Sequence, residues 1–389
     1  MGHRNYVTRV LSSAAQLDAC AWDSLLAAQP HPTPFMQHAF LVALERSGSA
    51  TPATGWTPCF VTLHEAAGQL VAACPLYIKT HSRGEYVFDW SWAEAYHRHS
   101  LNYYPKAVLS VPFTPVPGTR LLAVDEQARM ALVQAILAQC QQAGLSSLHV
   151  LFAHTADMQA CTQAQLLTRH TVQFHWHNRP QPYRDFDDFL ALLNQDKRKK
   201  IRQERRRVRE AGVLLRHAQG TEISRQDWDF FYSCYERTYL EHGNTPYLTR
   251  RFFEEIARTQ AHHWLMFIAE RDGHPIASSL IAVSDEGREK IAWGRYWGAL
   301  ERVDCLHFEA CYYSPLQWCI AHGYHRFEGG AQGEHKLARA LMPVRTDSAH
   351  WLAHPDFAQA VTDLLQREGR GIDNYLDELE QHTPFKPLS

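Results

Sequence analysis

"YHRFEGGAQGEHK", residues 324–336, is the stretch whose reading decides the fold. Its first residues have the composition of a strand. The strand runs into Gly329, Gly330 and Gly333, and then into an acid, an imidazole and an amine: Glu334, His335 and Lys336. Glycines let a backbone turn tightly or approach a ligand closely. In open α/β sheets the loops beyond strand ends host ligands. The spacing is not G-x-x-x-x-G-K-[ST], because Lys336 comes three residues after Gly333 and Leu337 follows. Nor is it G-x-G-x-x-G. Two readings stay open. The three side chains supply a base, a switchable proton carrier and a fixed positive charge, or they face solvent on a plain turn.

The elements around this loop repeat in order along the chain. In the second half a hairpin over 263–285 turns at Asp272-Gly273, a strand covers 290–299, and a helix over 305–323 ends at Gly323 and leads into the quoted strand. In the first half a hairpin spans 57–79 with its turn at Ala67-Gly68. A helix over 125–144 follows, with Met130, Val133, Ile136, Leu137 and Cys140 at helical spacing, and then a short buried strand over 146–154. Residues 15–47 read as helices with a Pro-rich break. The stretch "FHWHNRPQPY" (174–183) reads as a junction, which divides the chain into domains 1–178 and 179–389. The tail, 356–385, reads as two amphipathic helices split at Gly369 and Gly371. This order predicts mixed α/β (α+β) layers, with mixed sheets flanked by helices, rather than a barrel or a bundle.

The chain has 389 residues, 45% hydrophobic and 12% aromatic, enough for packed cores. A net charge of −2 excludes bulk attraction to nucleic acid or membranes and leaves only local patches. No apolar run is long enough for a membrane helix, and the first residues lack the apolar core of a signal peptide, so a cytoplasmic location is expected. The nine cysteines form no C-x-x-C pair and are odd in number, against metal knuckles and a disulfide framework.

One patch stands out. Residues 196–210, "DKRKKIRQERRRVRE", carry nine Lys or Arg and three acids, a local charge of +6. Phe186, Leu190, Leu193, Ile201 and Val208 share a helical face, so a single basic helix over 185–211 is expected. It is either a solvated face or a binding surface in which Lys199, Lys200, Arg202, Arg205, Arg206 and Arg207 hold phosphates of tRNA, a nucleotide-linked substrate or coenzyme A. The aromatic segment 88–105, with Asp89, Trp90 and Tyr104, either lines a cleft or packs as a core. His97 with His99 and His175 with His177 lack completing ligands, and no metal site is expected. No serine sits in a G-x-S-x-G elbow.

"KRKKIRQERRRVREAGVLLR" (197–216) resembles a basic segment of FemAB-like transferases. Residues 308–351 together with 89–116 resemble a bacterial family of predicted N-acyltransferases, labelled peptidoglycan biosynthesis or recognition proteins, within the GNAT superfamily. The resemblance spans about 20–385 and implies tandem GNAT-like domains that transfer an acyl or aminoacyl group to an amine, with acyl-CoA or aminoacyl-tRNA as co-substrate and no required cofactor. One departure matters. The nearest match to the Q/R-x-x-G-x-G/A loop that holds the coenzyme A pyrophosphate is "QQAGLS" (141–146), at a helix end instead of a helix start.

The leading expectation is therefore an N-acyltransferase acting on a small-molecule or peptide amine. Glu334 or His335 is expected as base and Glu309 as a second acid. Lys336, Gln332, Arg295, Tyr296, Asp89, Trp90 and Tyr104 are expected at the substrate. The alternative is a non-catalytic module that binds RNA or cell-wall precursors through the basic helix. The sequence does not set the oligomeric state.

Overall fold

The computed structural model describes residues 5–386 except 332; the side chain of Glu334 also lies outside the described residues. The chain forms two compact units. One holds the residues up to Thr171 and then Thr346–Asp373; the other holds Val172–Arg345 and the residues from Asn374 on. The expected boundary at 178/179 falls just past the strand that leads from one unit to the other. Residues 346–373, assigned above to the second domain, pack with the first unit.

The first unit contains β1 (Val7–Leu11), β2 (Trp56–Pro58), β3 (Phe60–His64), β4 (Leu70–Cys74), β5 (Leu76–Lys79), β6 (Lys106–Leu109), β7 (Leu122–Ala123) and β8 (Ser147–Ala153). Its helices are α1 (Ala19–Ala27), α2 (His38–Arg46), α3 (Trp90–Arg98), α4 (Glu126–Gln142) and α5 (Thr155–Gln163). The chain leaves it through β9 (Leu167–His177). The second unit contains α6 (Phe186–Leu192), α7 (Gln195–Glu210), β10 (Val213–Gln219), α8 (Arg225–Glu241), α9 (Arg250–Thr259), β11 (Trp264–Arg271), β12 (His274–Ser284) and β13 (Ile291–Ala299). After β13 come α10 (Leu306–Phe308), a π-helical segment (Glu309–Tyr313), α11 (Ser314–Ala321) and β14 (Arg326–Ala331). The chain returns through β15 (Met342–Leu352), and α12 (Pro355–Gln381) closes it.

In the first unit β1, β3, β4 and β7 form an antiparallel sheet, and the hairpin's outer ends, β2 and β5, join the strand order β15-β8-β6-β5-β2. Here β6 and β8 pair in parallel, with α4 as the crossover between them. Asp125 caps α4 by accepting from the Ala128 amide, and Leu132, Val133, Ile136 and Cys140 bury its inner face. In the second unit the order is β10-β11-β12-β13-β14-β9. Its parallel pair is β13 with β14, and the helical run 306–321 crosses between them. Each unit therefore repeats antiparallel strands followed by one parallel strand-helix-strand crossover, the order expected from the sequence.

Two expected helices differ. The basic helix is two helices. Leu193 is extended with ψ 151° and buried, and Asn194 caps α7 through the Lys197 amide, so the chain restarts rather than continues. In the tail, α12 runs unbroken through Gly369 and Gly371. Each glycine costs a helix interior about 1 kcal/mol relative to Ala. Burial of Val361 and Leu365 in the first unit and of Leu379 in the second offsets that cost.

Candidate functional site

The quoted loop lies where β14 leaves β13. Parallel pairing is registered at Ile291–Arg326, Ala292–Phe327 and Trp293–Glu328; past Glu328, β14 follows β9 through an irregularity. Gly329 sits at a close approach, because a Cβ there would lie 2.3 Å from Leu341 and 3.0 Å from the Phe174 carbonyl. Gly330 and Gly333 have φ of 75° and 98°, the region that glycine tolerates. Residues 334–339 then form a 3-10 turn.

His335 is exposed at its tip and leans on the helical run after β13. Its Nε2 is 3.3 Å from the Tyr312 hydroxyl, and its ring centroid is 5.7 Å from that of Phe308. Partial burial, with Arg339 and Lys336 nearby, holds its pKa below the ordinary imidazole value, so it is neutral at pH 7. His307 is pushed further, to about 4, by burial and by His335. Lys336 turns inward. Its Nζ donates to the Ala331 carbonyl at 2.7 Å, and burial lowers its pKa to about 8. It therefore braces its own loop rather than reaching outward for an anionic substrate. Gln332 lies outside the described residues, as does the side chain of Glu334.

The loop is fastened to α7. Arg339 pairs with Glu204 at 2.8 Å, both side chains buried, and its guanidinium carbon stands 3.4 Å above the Phe308 ring. Tyr313 donates to the same Glu204. Glu309 accepts from Arg205 Nε and Nη2 at 2.9–3.1 Å and from the Ser314 hydroxyl at 2.8 Å. The expected second acid is thus the anchor of Arg205. Arg205 also reaches Gln317 at 2.8 Å.

A groove of about 890 Å³ runs along α7 and is lined by Arg198, Lys199, Arg202, Arg205, Arg206 and Arg209, with one acid, Asp187. Lys200 and Arg207 are exposed on the helix but outside this lining, and the lining does not include His335 or Lys336. Arg295 and Tyr296 are neighbours on β13. The Arg295 guanidinium lies 5.1 Å from the Tyr296 ring, and that ring packs among Tyr235 and Phe253 under α8 and α9.

Glu328 was not singled out from the sequence, although it stands immediately before the glycines. It is buried at the last registered pair of β13 and β14, and its Oε1 accepts from Arg326 Nε at 2.9 Å. Burial raises its pKa to about 7 against the pull of Arg326. A carboxyl poised there exchanges a proton near neutrality.

In the first unit the aromatic segment resolves into packing. Trp92, Tyr96 and Tyr103 are buried, while Trp90 is 60% exposed. Beneath them lies a buried polar cluster. Lys106 donates to Glu85 at 2.7 Å, to Ser82 at 2.9 Å and to Asp89. Tyr103 donates to Asp89 at 2.6 Å, and Tyr104 meets Ser82 at 2.8 Å. His149 and His350 face each other across β8 and β15 with Nδ1 atoms 2.7 Å apart. The two carboxyls diverge. Burial lifts Glu85 to about 7, whereas for Asp89 the charge and hydrogen bond of Lys106 outweigh burial and hold it well below the carboxylate range. The second carboxyl oxygens, Glu85 Oε1 and Asp89 Oδ1, are buried without a hydrogen-bond partner among the described residues. The sequence reading expected Asp89 and Tyr104 at the substrate; here both join this cluster, Asp89 fully buried in it. It missed Lys106, Glu85, His149 and His350, which sit in strands or loops with no local motif.

The repeated crossover gives each unit antiparallel strands and a parallel strand-helix-strand turn, a mixed α/β architecture of sheets flanked by helices. The chain belongs to the FemAB-like family, described as peptidoglycan biosynthesis/recognition, whose model matches residues 13–387. Among solved structures, the C-terminal domain of a putative lysylphosphatidylglycerol synthetase from Agrobacterium fabrum is 13% identical, with a TM-score of 0.54 over 90% of this chain and 96% of that one. A conserved protein of unknown function from Bacteroides thetaiotaomicron is 10% identical, with a TM-score of 0.51 over 86% and 97%. A tandem GNAT protein from the clavulanic acid biosynthesis pathway is 13% identical, with a TM-score of 0.45 over 90% and 99%. No curated protein matches the sequence. Among the described residues no helix is long and apolar enough to cross a membrane.

Proposed function

We propose that the protein is an N-acyltransferase that moves an acyl or aminoacyl group from a phosphate-bearing donor to an amine. The observation that carries this reading is the α7 groove, with six cations against one acid. From Gln195 to Arg209 the lining spans about 21 Å of helix, enough for several successive phosphates. That favours aminoacyl-tRNA over acyl-CoA as co-substrate, and no cofactor is required. The amine nitrogen attacks the donor carbonyl. A base takes the ammonium proton, and the tetrahedral intermediate collapses with loss of the tRNA hydroxyl, or of the thiolate if the donor is a thioester. His335, neutral at pH 7, fits the base; Glu334 remains its partner candidate, and Glu328 is a third.

The test uses Lys199→Ala/Arg206→Ala, which spares the Arg205–Glu309 anchor. Binding of aminoacyl-tRNA should weaken and its slope against log salt should become shallower by about 1.4–1.8, while transfer to amine acceptors persists at saturating donor. Unchanged tRNA binding, or tight coenzyme A binding without tRNA binding, would remove the tRNA reading. Binding without any transfer would leave a recognition module instead.

A further inference from the structure

Three side chains of the second unit converge away from α7 and the glycine loop. His262 and His263 lie in the turn between α9 and β11, and Glu286 lies just past the end of β12. His262 Nε2 is 3.3 Å, and His263 Nε2 is 3.6 Å, from the same oxygen, Glu286 Oε1. The ligand-type atoms of the three all fall within 4.8 Å of one another.

His263 is 1% exposed, and its Nδ1 lies 2.9 Å from the Val283 carbonyl. A carbonyl only accepts, so in the neutral ring Nδ1 carries the proton and Nε2 presents its lone pair. That lone pair then faces a carboxylate oxygen at 3.6 Å, acceptor toward acceptor. A cation between them would bond to both. The Val283 carbonyl orients the ring as second-sphere partners orient metal-bound histidines. Bonds of about 2.0–2.2 Å at tetrahedral angles put ligand atoms about 3.4 Å apart, close to the two separations here.

We propose that His262, His263 and Glu286 form a binding site for a divalent transition-metal ion of the zinc class. Two imidazoles and a carboxylate suit zinc, nickel or copper and do not suit magnesium or calcium, which take oxygen ligands. His262 and Glu286 are half or more exposed at their side chains, 63% and 51%, so the site opens to solvent and water completes the sphere. The ion clips the β12–β13 connection to the turn that starts β11. It stabilises this edge of the unit and takes no part in acyl transfer.

The experiment is titration of chelator-stripped protein with Zn2+ by calorimetry and by competition with a chromogenic chelator, together with thermal unfolding. Wild type should bind one ion at micromolar zinc and melt at a higher temperature with it. His262→Ala and Glu286→Gln change exposed side chains, and each should weaken that binding about tenfold or more and abolish the thermal gain. Mg2+ should produce neither effect. Absence of micromolar binding in the wild type, or binding retained by both variants, overturns the site. Because the readout is metal affinity, its failure is independent of the transferase reading.

Discussion

Glu85 offers a prediction whose size follows from the structure. Its carboxyl is buried beside Lys106 and keeps its proton up to about pH 7, against an ordinary value of 4.5. Between those pH values the folded chain holds a proton that the unfolded chain has released. Stability therefore falls as pH rises through this window and changes no further above it. At about 1.4 kcal/mol per pH unit, the loss comes to about 3 kcal/mol. Other groups titrate in the same range. Burial pushes His149 and His350 down, which makes stability rise with pH instead. The clean measure is thus a difference. Urea unfolding of wild type and Glu85→Gln should be compared at steps from pH 4 to pH 7. The amide keeps the shape and removes the titration. Wild type minus variant should drop by about 3 kcal/mol across the window. A flat or rising difference would mean that Glu85 ionises normally and that the buried cluster is wetter than its packing implies.

Glu328 and His335 make opposite demands on the proposed transfer reaction. If Glu328 takes the proton, activity rises with pH through about 7, and Glu328→Gln removes both that limb and turnover. If His335 takes it, the limb lies below the ordinary imidazole value and survives in Glu328→Gln. Arg339→Met should cost about 3–5 kcal/mol in chemical denaturation, because it strands Glu204 as a buried charge. The double variant Arg339→Met/Glu204→Leu should recover much of that loss, and no recovery would show that the pair is not the cause.

Much of the fold was legible because it is written in local chemistry. The Asp272-Gly273 turn and the apolar spacing of 130–140 each fix one element without help from the rest of the chain. The two misread helices show the limit. Leu193 continues the apolar face of the basic run, so periodicity hides the break; what ends the helix is Asn194 turning to cap the next one. Gly369 and Gly371 invite a break that packing along α12 prevents. The site was less legible for the same reason. Glu85, Lys106, His149 and His350 come from four separate segments and meet only through tertiary structure. Lys336 reads as an outward cation and is instead consumed by the carbonyls of its own loop.

The charge count on α7 must be read through the same filter. Nine Lys or Arg occupy 196–210, but a side chain held by protein has less to give a ligand. Arg205 is committed to Glu309 and Gln317, and Glu309 sits at the start of the π-helical segment that follows β13. Six cations line the groove, and removing Arg205 from that set leaves five. The Arg202–Asp187 and Arg206–Glu210 pairs are exposed, and such pairs contribute little, so both arginines can change partners when a phosphate arrives. A polynucleotide bound to this face, as proposed, would therefore release counterions from about five phosphates, for a slope of log affinity against log salt no steeper than about −4.5. A slope near −8 would require every cation of the run, Arg205 included. It would mean that the Glu309 anchor breaks on binding and that α7 moves relative to the helix it now clamps.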